Sequence, residues 1–222
     1  MRVYICRLVL HENLFYATRE IGRLYETGRY LHNYALTFAL GLAVAPYFHR
    51  EQIPSYEEQL APLNERGIYV TPARGVDIAY ELNTFKYANK NYHVEMVKSR
   101  RNTPSFGRAK EIAVGSSFEL AVLSEEPLVL PRWVRLGLWR SKAEVQTLAE
   151  VVATLKPSQT GTTSYPMNPL DLPGRLVIYD LISMPPVSVV DRAVIEGDWW
   201  AFKAGGRRQW LPAGLQYTFP EQ

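Results

Sequence analysis

Apolar residues first gather in Val3–Leu10, a β-rich run closed by the polar His11-Glu12-Asn13, and this predicts an opening strand. The period then changes. Leu31, Tyr34, Ala35, Phe38 and Leu42 recur at helical spacing, so Leu31–Val44 reads as an amphipathic helix lying on a sheet, stopped by Pro46. Residues 46–67 read as irregular, with a short helix opened by the Ser55…Glu58 pair, and Ile68–Thr71 as a short strand. Ile112–Leu123 and Leu128–Leu138 read as strands, the second broken by Gly137. Ser141–Leu155 fits two templates. Ser141-x-x-Glu144 is a helix start, and Val145, Leu148, Ala149 and Val152 keep helical spacing; yet Ala143, Val145, Thr147, Ala149 and Val151 alternate, and the strand is preferred. Prolines punctuate Lys156–Gly174 as a loop. Leu176–Ser183, Val187–Ile195 and Trp199–Ala204 then form an antiparallel meander, with turns at Glu196-Gly197-Asp198 and Gly205-Gly206. Strand, helix and mostly antiparallel strands together predict an α+β fold: a ferredoxin-like (RRM-type) sheet with one main N-terminal helix and long excursions.

Length adds that the 222 residues can bury one sizeable core, so one elaborated domain over 1–222 is expected. With 47% hydrophobic and 21% charged residues, the composition excludes disordered, collagen-like and coiled-coil classes. Cys6 is the single cysteine and has no partner for an internal disulfide, which suits a reducing compartment. The apolar stretch Ala35–Phe48 is shorter than the ~20 residues a spanning helix needs. The N-terminal run is split by Arg7 and lacks a small-residue cleavage site, so a cytoplasmic protein with no membrane partner is expected. No Cys/His/Asp/Glu group has metal-ligand spacing, and no Walker loop, Ser/His/Asp set or Rossmann glycine pattern occurs; no cofactor is expected.

Charge is informative in its distribution. The total is only +3, but Lys86, Lys90, Lys98, Arg100, Arg101, Arg108 and Lys110 share their segment with one acid, Glu95. Arg132, Arg135, Arg140 and Lys142 share theirs with none, and the rest of the chain is net acidic. An acidic body with two basic segments is the pattern of a polyanion binder; solvated loop and strand faces are the plain alternative. Planar rings favour the binder. Tyr87, Tyr92, His93 and Phe106 lie in the first segment, Trp133 and Trp139 in the second. Rings beside cations stack unpaired bases while the cations hold phosphates. Gly107 and Gly115 would let backbone N–H groups approach a phosphate. With few apolar anchors, residues 85–110 are expected to project as a basic arm. Single-stranded nucleic acid is the expected guest.

Four motifs then carry a resemblance. They are Leu31-His-Asn-Tyr-Ala-Leu36, Asn102-Thr-Pro-Ser-Phe-Gly-Arg-Ala-Lys-Glu-Ile-Ala-Val-Gly-Ser116, Leu130-Pro-Arg-Trp-Val-Arg-Leu-Gly-Leu-Trp-Arg-Ser-Lys142 and Tyr165-Pro-Met-Asn-Pro-Leu-Asp-Leu-Pro173. In this order they resemble the fifth CRISPR-associated (Cas) protein family in its type I-D form, within the RAMP superfamily. The resemblance implies a non-catalytic subunit of the crRNA-guided Cascade complex that grips the crRNA 5′ handle and serves antiviral defence. It implies contacts with the repeated backbone subunit and with the large subunit near the PAM, and proximity to PAM-proximal target DNA. The arm at Lys86–Lys110 takes the place of the family's thumb. Asn102, Arg108 and Lys110 would contact crRNA, with Lys86, Lys90, Tyr92, Lys98, Arg100 and Arg101 along the same arm. Arg132, Trp133, Arg135, Arg140, Ser141 and Lys142 would line the handle groove. The family's C-terminal glycine-rich loop is here reduced to Gly205-Gly206 before Arg207-Arg208.

His32 stands where related RAMP ribonucleases place a catalytic histidine. It would either bind RNA and cap the helix or act as general base of a metal-independent endoribonuclease that processes precursor crRNA. The adjacent Trp199 and Trp200 point to opposite faces of a strand, one toward the core and the other toward a partner. Asn168-Pro-Leu-Asp171 reads as a turn built on Asx bonds.

Overall fold

In a computed structural model, residues 1–43, 55–86 and 106–219 are described. The chain is mostly β. In order come β1 (Arg2–Leu10), β2 (Arg19–Ile21), β3 (Leu24–Glu26), β4 (Tyr30–Leu31), α1 (Asn33–Ala39) and α2 (Tyr56–Glu65). Then follow β5 (Tyr69–Val70), β6 (Ala73–Asp77), β7 (Tyr80–Lys86), β8 (Phe106–Ile112), β9 (Ser117–Ser124), β10 (Trp133–Leu136) and β11 (Ser141–Val152). The last strands are β12 (Thr154–Thr162), β13 (Arg175–Ile182), β14 (Val189–Ala204) and β15 (Arg207–Pro212).

The largest sheet is antiparallel and runs β10-β11-β1-β9-β6-β4, with β5 also on β9. Its centre is β1, and this explains why apolar residues there occupy both alternating sets, with Arg7 the one interruption: both faces of the strand are covered. Val3 and Ile5 join one core with Trp199, Ile195 and Leu211 of the second sheet. Tyr4, Cys6, Leu8 and Leu10 join the other with Leu36 of α1 and Val134 and Leu136 of β10. Burial raises the Cys6 thiol to about 11, partly offset by a hydrogen bond with Thr147, which leaves it an inert core group. The second sheet centres on β14, with β12 along one edge and β13 and β15 along the other. A third, small sheet runs β2-β3-β8-β7 and includes the parallel pair β3–β8.

The predicted main helix is shorter than its pattern. It ends at Ala39, because Gly41 turns the backbone left-handed at φ +71° and the Leu42 N–H returns to the Thr37 carbonyl. The longer helix is α2, in a stretch predicted as mostly irregular. Ser55 is its N-cap but makes no side-chain cap bond.

Three other predictions are corrected. Ile112–Leu123 is not one strand: β8 and β9 are separated at Ala113–Ser116, where Gly115 takes φ +84°. Part of the predicted loop Lys156–Gly174 is strand β12; Pro157, which has no N–H to give, sits where the β12–β14 register shifts between Lys156 and Gln159. Glu196-Gly197-Asp198 is not a turn. Gln159 and Thr160 pair with Gly197 and Glu196, so the polar trio continues β14. Gly174 lets β13 approach there, since a Cβ at Gly174 would lie 2.5 Å from the Glu196 carbonyl. Gly205-Gly206 is the predicted turn, joining β14 to β15. The strand preferred for Ser141–Leu155 is observed as β11.

Candidate nucleic-acid interface

The second basic segment folds into the β10–β11 hairpin. Along β10, Val134 and Leu136 enter the core, so alternation turns Trp133 and Arg135 outward. The register sets Trp133 opposite Glu144 and Arg135 opposite Lys142. Like charges directly opposed on a ladder repel. Here Glu12 relieves the repulsion: its carboxylate accepts from Arg135 Nη1 at 3.0 Å and from the Lys142 backbone N–H at 2.8 Å. The Lys142 ammonium lies over the Trp133 ring, 4.0 Å from its centroid, and His11 meets that ring edge-on at 5.0 Å. Arg132 reaches Glu144 at 3.2 Å, and hydrogen bonding by Gln146, with Arg132 adding to it, holds the Glu144 carboxyl below its usual range.

The connecting turn depends on Gly137. Its φ is +71°, and a Cβ there would lie 2.6 Å from the Phe15 carbonyl oxygen. The turn presents Trp139 half-exposed, one face packed on Phe15 at a centroid distance of 4.8 Å. Arg140 takes φ +56° beside it. Between this hairpin and α1 runs a groove of about 670 Å³, whose walls include Ala35 and Phe38 on one side and Trp133, Arg135, Arg140 and Lys142 on the other. Ser141 is buried, its hydroxyl donating to the Asn13 carbonyl, so it supports the hairpin from beneath.

Lys86, Arg108 and Lys110 lie on the β7–β8 ladder, where Arg108 faces Thr84 and Lys110 faces Leu82. Lys110 pairs with Glu26 at 3.4 Å and sits 4.4 Å from the Tyr80 ring centroid. Lys90, Tyr92, Lys98, Arg100, Arg101 and Asn102 lie outside the described residues. Gly107 and Gly115 each serve a close contact within the fold. A Cβ on Gly107 would lie 2.5 Å from the Phe85 ring, so that glycine seats an aromatic side chain; the Gly115 N–H is already given to the Leu10 carbonyl at 2.8 Å.

The two basic segments meet across one short stretch of backbone. Leu14 exchanges both backbone hydrogen bonds with Ile112 at the end of β8, and the Phe15 carbonyl accepts from Leu138 in the β10–β11 turn. His11, Glu12, Asn13 and Phe15 therefore organise the site. In the sequence His11, Glu12 and Asn13 were only the polar edge of a strand, and nothing local marked Glu12 as the partner of residues more than a hundred positions away.

His32 is placed elsewhere than on an open surface. It is 4% exposed and caps α1, its Nδ1 accepting from the Tyr34 N–H at 3.2 Å. Burial lowers its pKa to about 4; the Val187 backbone opposes this weakly, without reaching hydrogen-bond geometry with Nε2. Its ring packs on Tyr34 at 4.6 Å beside a mostly apolar cavity of about 310 Å³. Trp199 is core, its Nε1 donating to the Gln159 carbonyl at 3.0 Å, while Trp200 is half-buried.

The family model described as "Type I-D CRISPR-associated protein Cas5/Csc1" matches residues 1–220. A crystal structure of a CRISPR protein from Archaeoglobus fulgidus is similar, with 14% identity over 95% of this chain and 99% of that one, at a TM-score of 0.46. A cryo-EM structure of the Type III-B Cmr-beta bound to cognate target RNA and AMPPnP is also similar, with 8% identity over 88% and 86% of the two chains, at 0.46. No curated protein matches the sequence.

Proposed function

The chain belongs to the type I-D Cas5/Csc1 family of CRISPR effector subunits, and from that premise we propose that it grips the 5′ handle of crRNA without cleaving it. The observation that carries this reading is the groove between α1 and the β10–β11 hairpin, where Arg135, Arg140 and Lys142 share one wall with Trp133. Cations there would hold handle phosphates while a ring stacks an unpaired base. The stacking ring is assigned to Trp139. Trp133 is engaged by two cations, Lys142 at 4.0 Å and Arg132 at 5.7 Å from its ring centroid, whereas Trp139, in the turn that adjoins the groove, has Phe15 on one face and no cation over it among the described residues, and is the more exposed ring. Trp133 instead positions the Lys142 charge.

Lys86, Lys90, Tyr92, Lys98, Arg100, Arg101, Asn102, Arg108 and Lys110 are proposed as further RNA contacts within one elaborated domain. Sequence discrimination of the target is left to guide–target pairing. The partners are then crRNA, the repeated backbone subunit and the large subunit next to PAM-proximal DNA. The exposed apolar residues of the edge strand β13, Ile178 and Leu181 among them, suit a chain that works inside an assembly. His32 serves the fold: an imidazole neutral down to about pH 4, with Nδ1 committed to the Tyr34 N–H, is poorly suited to take a proton from a ribose 2′-OH.

The deciding experiment incubates the purified chain with precursor repeat RNA in EDTA. Stable retention of intact RNA is expected. Site-specific cleavage that disappears in His32→Ala would overturn the assignment in favour of an endoribonuclease.

A further inference from the structure

A second cationic patch lies on the other sheet. The β14–β15 register places Lys203 directly opposite Arg208, with Ala201 opposite Trp210 two positions along on the same face. Both cations are exposed, and neither has an acidic partner among the described residues. Like charges facing each other on a ladder are unfavourable, and at Arg135 and Lys142 the fold supplies Glu12 to relieve the same conflict. At Lys203 and Arg208 it supplies no carboxylate. Lys156 of β12 and the hydroxyl-bearing Thr154 line the same shallow groove, about 500 Å³ in volume, and the Arg208 guanidinium lies 5.9 Å from the Trp210 ring centroid.

We infer that this groove binds the phosphodiester backbone of a nucleic-acid strand at a site separate from the α1–β10 groove. Every side chain with a hydrogen-bonding group in the groove can donate: two ammoniums, a guanidinium, the Trp210 indole N–H and a hydroxyl, the hydroxyl being the one that can also accept. A phosphodiester presents acceptors and negative charge without donors, which matches that set. A peptide would also bring backbone N–H groups, for which this lining offers little acceptance. The opposed cations would hold a phosphate between them, and Trp210 gives the adjoining sugar or base a flat apolar neighbour. Guide RNA and target DNA carry the same backbone chemistry, and either can be the strand.

The test measures binding of the full chain to U20 RNA and dT20 DNA by fluorescence anisotropy across a salt series. Arg135→Gln/Lys142→Gln is the background, so failure of the handle-groove reading leaves this measurement intact. Adding Lys203→Gln/Arg208→Gln removes two phosphate contacts and should make the log–log salt slope shallower by about 1.4. Loss on RNA alone identifies a guide strand, loss on DNA alone a target strand, and loss on both the shared backbone; each supports the site. The charge reversal Lys203→Glu guards against misfolding. It creates an ion pair with Arg208, so melting temperature should hold or rise while patch binding is lost. An unchanged slope on both strands in a well-folded Lys203→Glu chain would overturn the inference.

Discussion

Asn33, at the first turn of α1, donates its side-chain N–H to Asp171, 138 residues later, at 2.8 Å. The same carboxylate accepts from the Tyr69 hydroxyl at 2.8 Å and from the Thr218 backbone N–H at 2.9 Å. One buried side chain thus ties a helix start, strand β5, a 3-10 turn and the C-terminal segment together. Asn168 builds that turn, its Oδ1 accepting from the Leu170 N–H as an Asx bond.

Truncating this hub strands two buried donors, the Asn33 amide and the Tyr69 hydroxyl, and releases the N–H of the more exposed Thr218. Asp171→Ala should therefore cost roughly 3–5 kcal/mol, since each orphaned buried group costs about 1–3 kcal/mol. Urea denaturation of the two chains measures it. A loss below 1 kcal/mol would mean the cluster is solvated.

The pH dependence of stability should contain two opposed contributions. Burial, the largest effect, lifts Asp171 to about 6 against the backbone N–H of Thr218 and its other donors. The folded chain then holds a proton that the unfolded chain, near 4, releases, so this group makes stability fall as pH rises from about 4 to 6. His32 acts in reverse. Unfolded chains take up a proton below about 6.5 that the folded imidazole refuses down to about 4, so stability falls as pH drops through that window. The two oppose each other in the native protein. Asp171→Asn should leave stability rising with pH over 4–6, and His32→Asn should leave it falling. Chemical denaturation at pH 4.5 and 6.0 reads both slopes; parallel profiles in the two variants would contradict the assignment.

Trp139→Ala should weaken handle RNA binding by about 1–3 kcal/mol, the range for one stacked base, with melting temperature little changed. Trp133→Ala should cost less, near the 0.5–1 kcal/mol of an exposed cation–π contact, because Lys142 keeps its charge. Calorimetric titration with a handle oligonucleotide separates them. A larger loss in Trp133→Ala than in Trp139→Ala would reverse the two roles.

Gly137→Ala should be the most damaging glycine change at the groove. It combines a left-handed backbone, about 1–2 kcal/mol for a residue with a Cβ, with a contact against a main-chain oxygen that cannot swing away. Gly107→Ala should be milder, since it meets a side chain, and Phe85→Leu should recover part of its loss. Thermal melts of the three chains give the order.

Much of the site was written locally. Charge and aromatic content are properties of a segment, so the interleaving of Arg132, Trp133, Arg135, Trp139, Arg140 and Lys142 was readable before any fold was known. Glycines misled, because a residue without a Cβ serves a turn, a close strand or an overlying ring equally well. Gly197 looked like a turn and continues β14; Gly115 looked like a phosphate seat and gives its N–H to the Leu10 carbonyl. Pro157 looked like a loop residue and sits at a bulge in β12.

The amino-acid sequence by itself determined the strand-rich class, the family and the two basic stretches, because each is a matter of residue type and spacing along the chain. Tertiary structure alone decided which charges are relieved and which are left facing one another. Glu12 reaches Arg135 across 123 positions, Asp171 gathers donors from three other segments, and Lys203 stands opposite Arg208 with no acid beside it among the described residues. The reason is register. Pairing between strands distant in the chain follows from how the two sheets close around β1 and β14, and a shift of one residue in β10 or β14 would turn Arg135 or Lys203 to the other face.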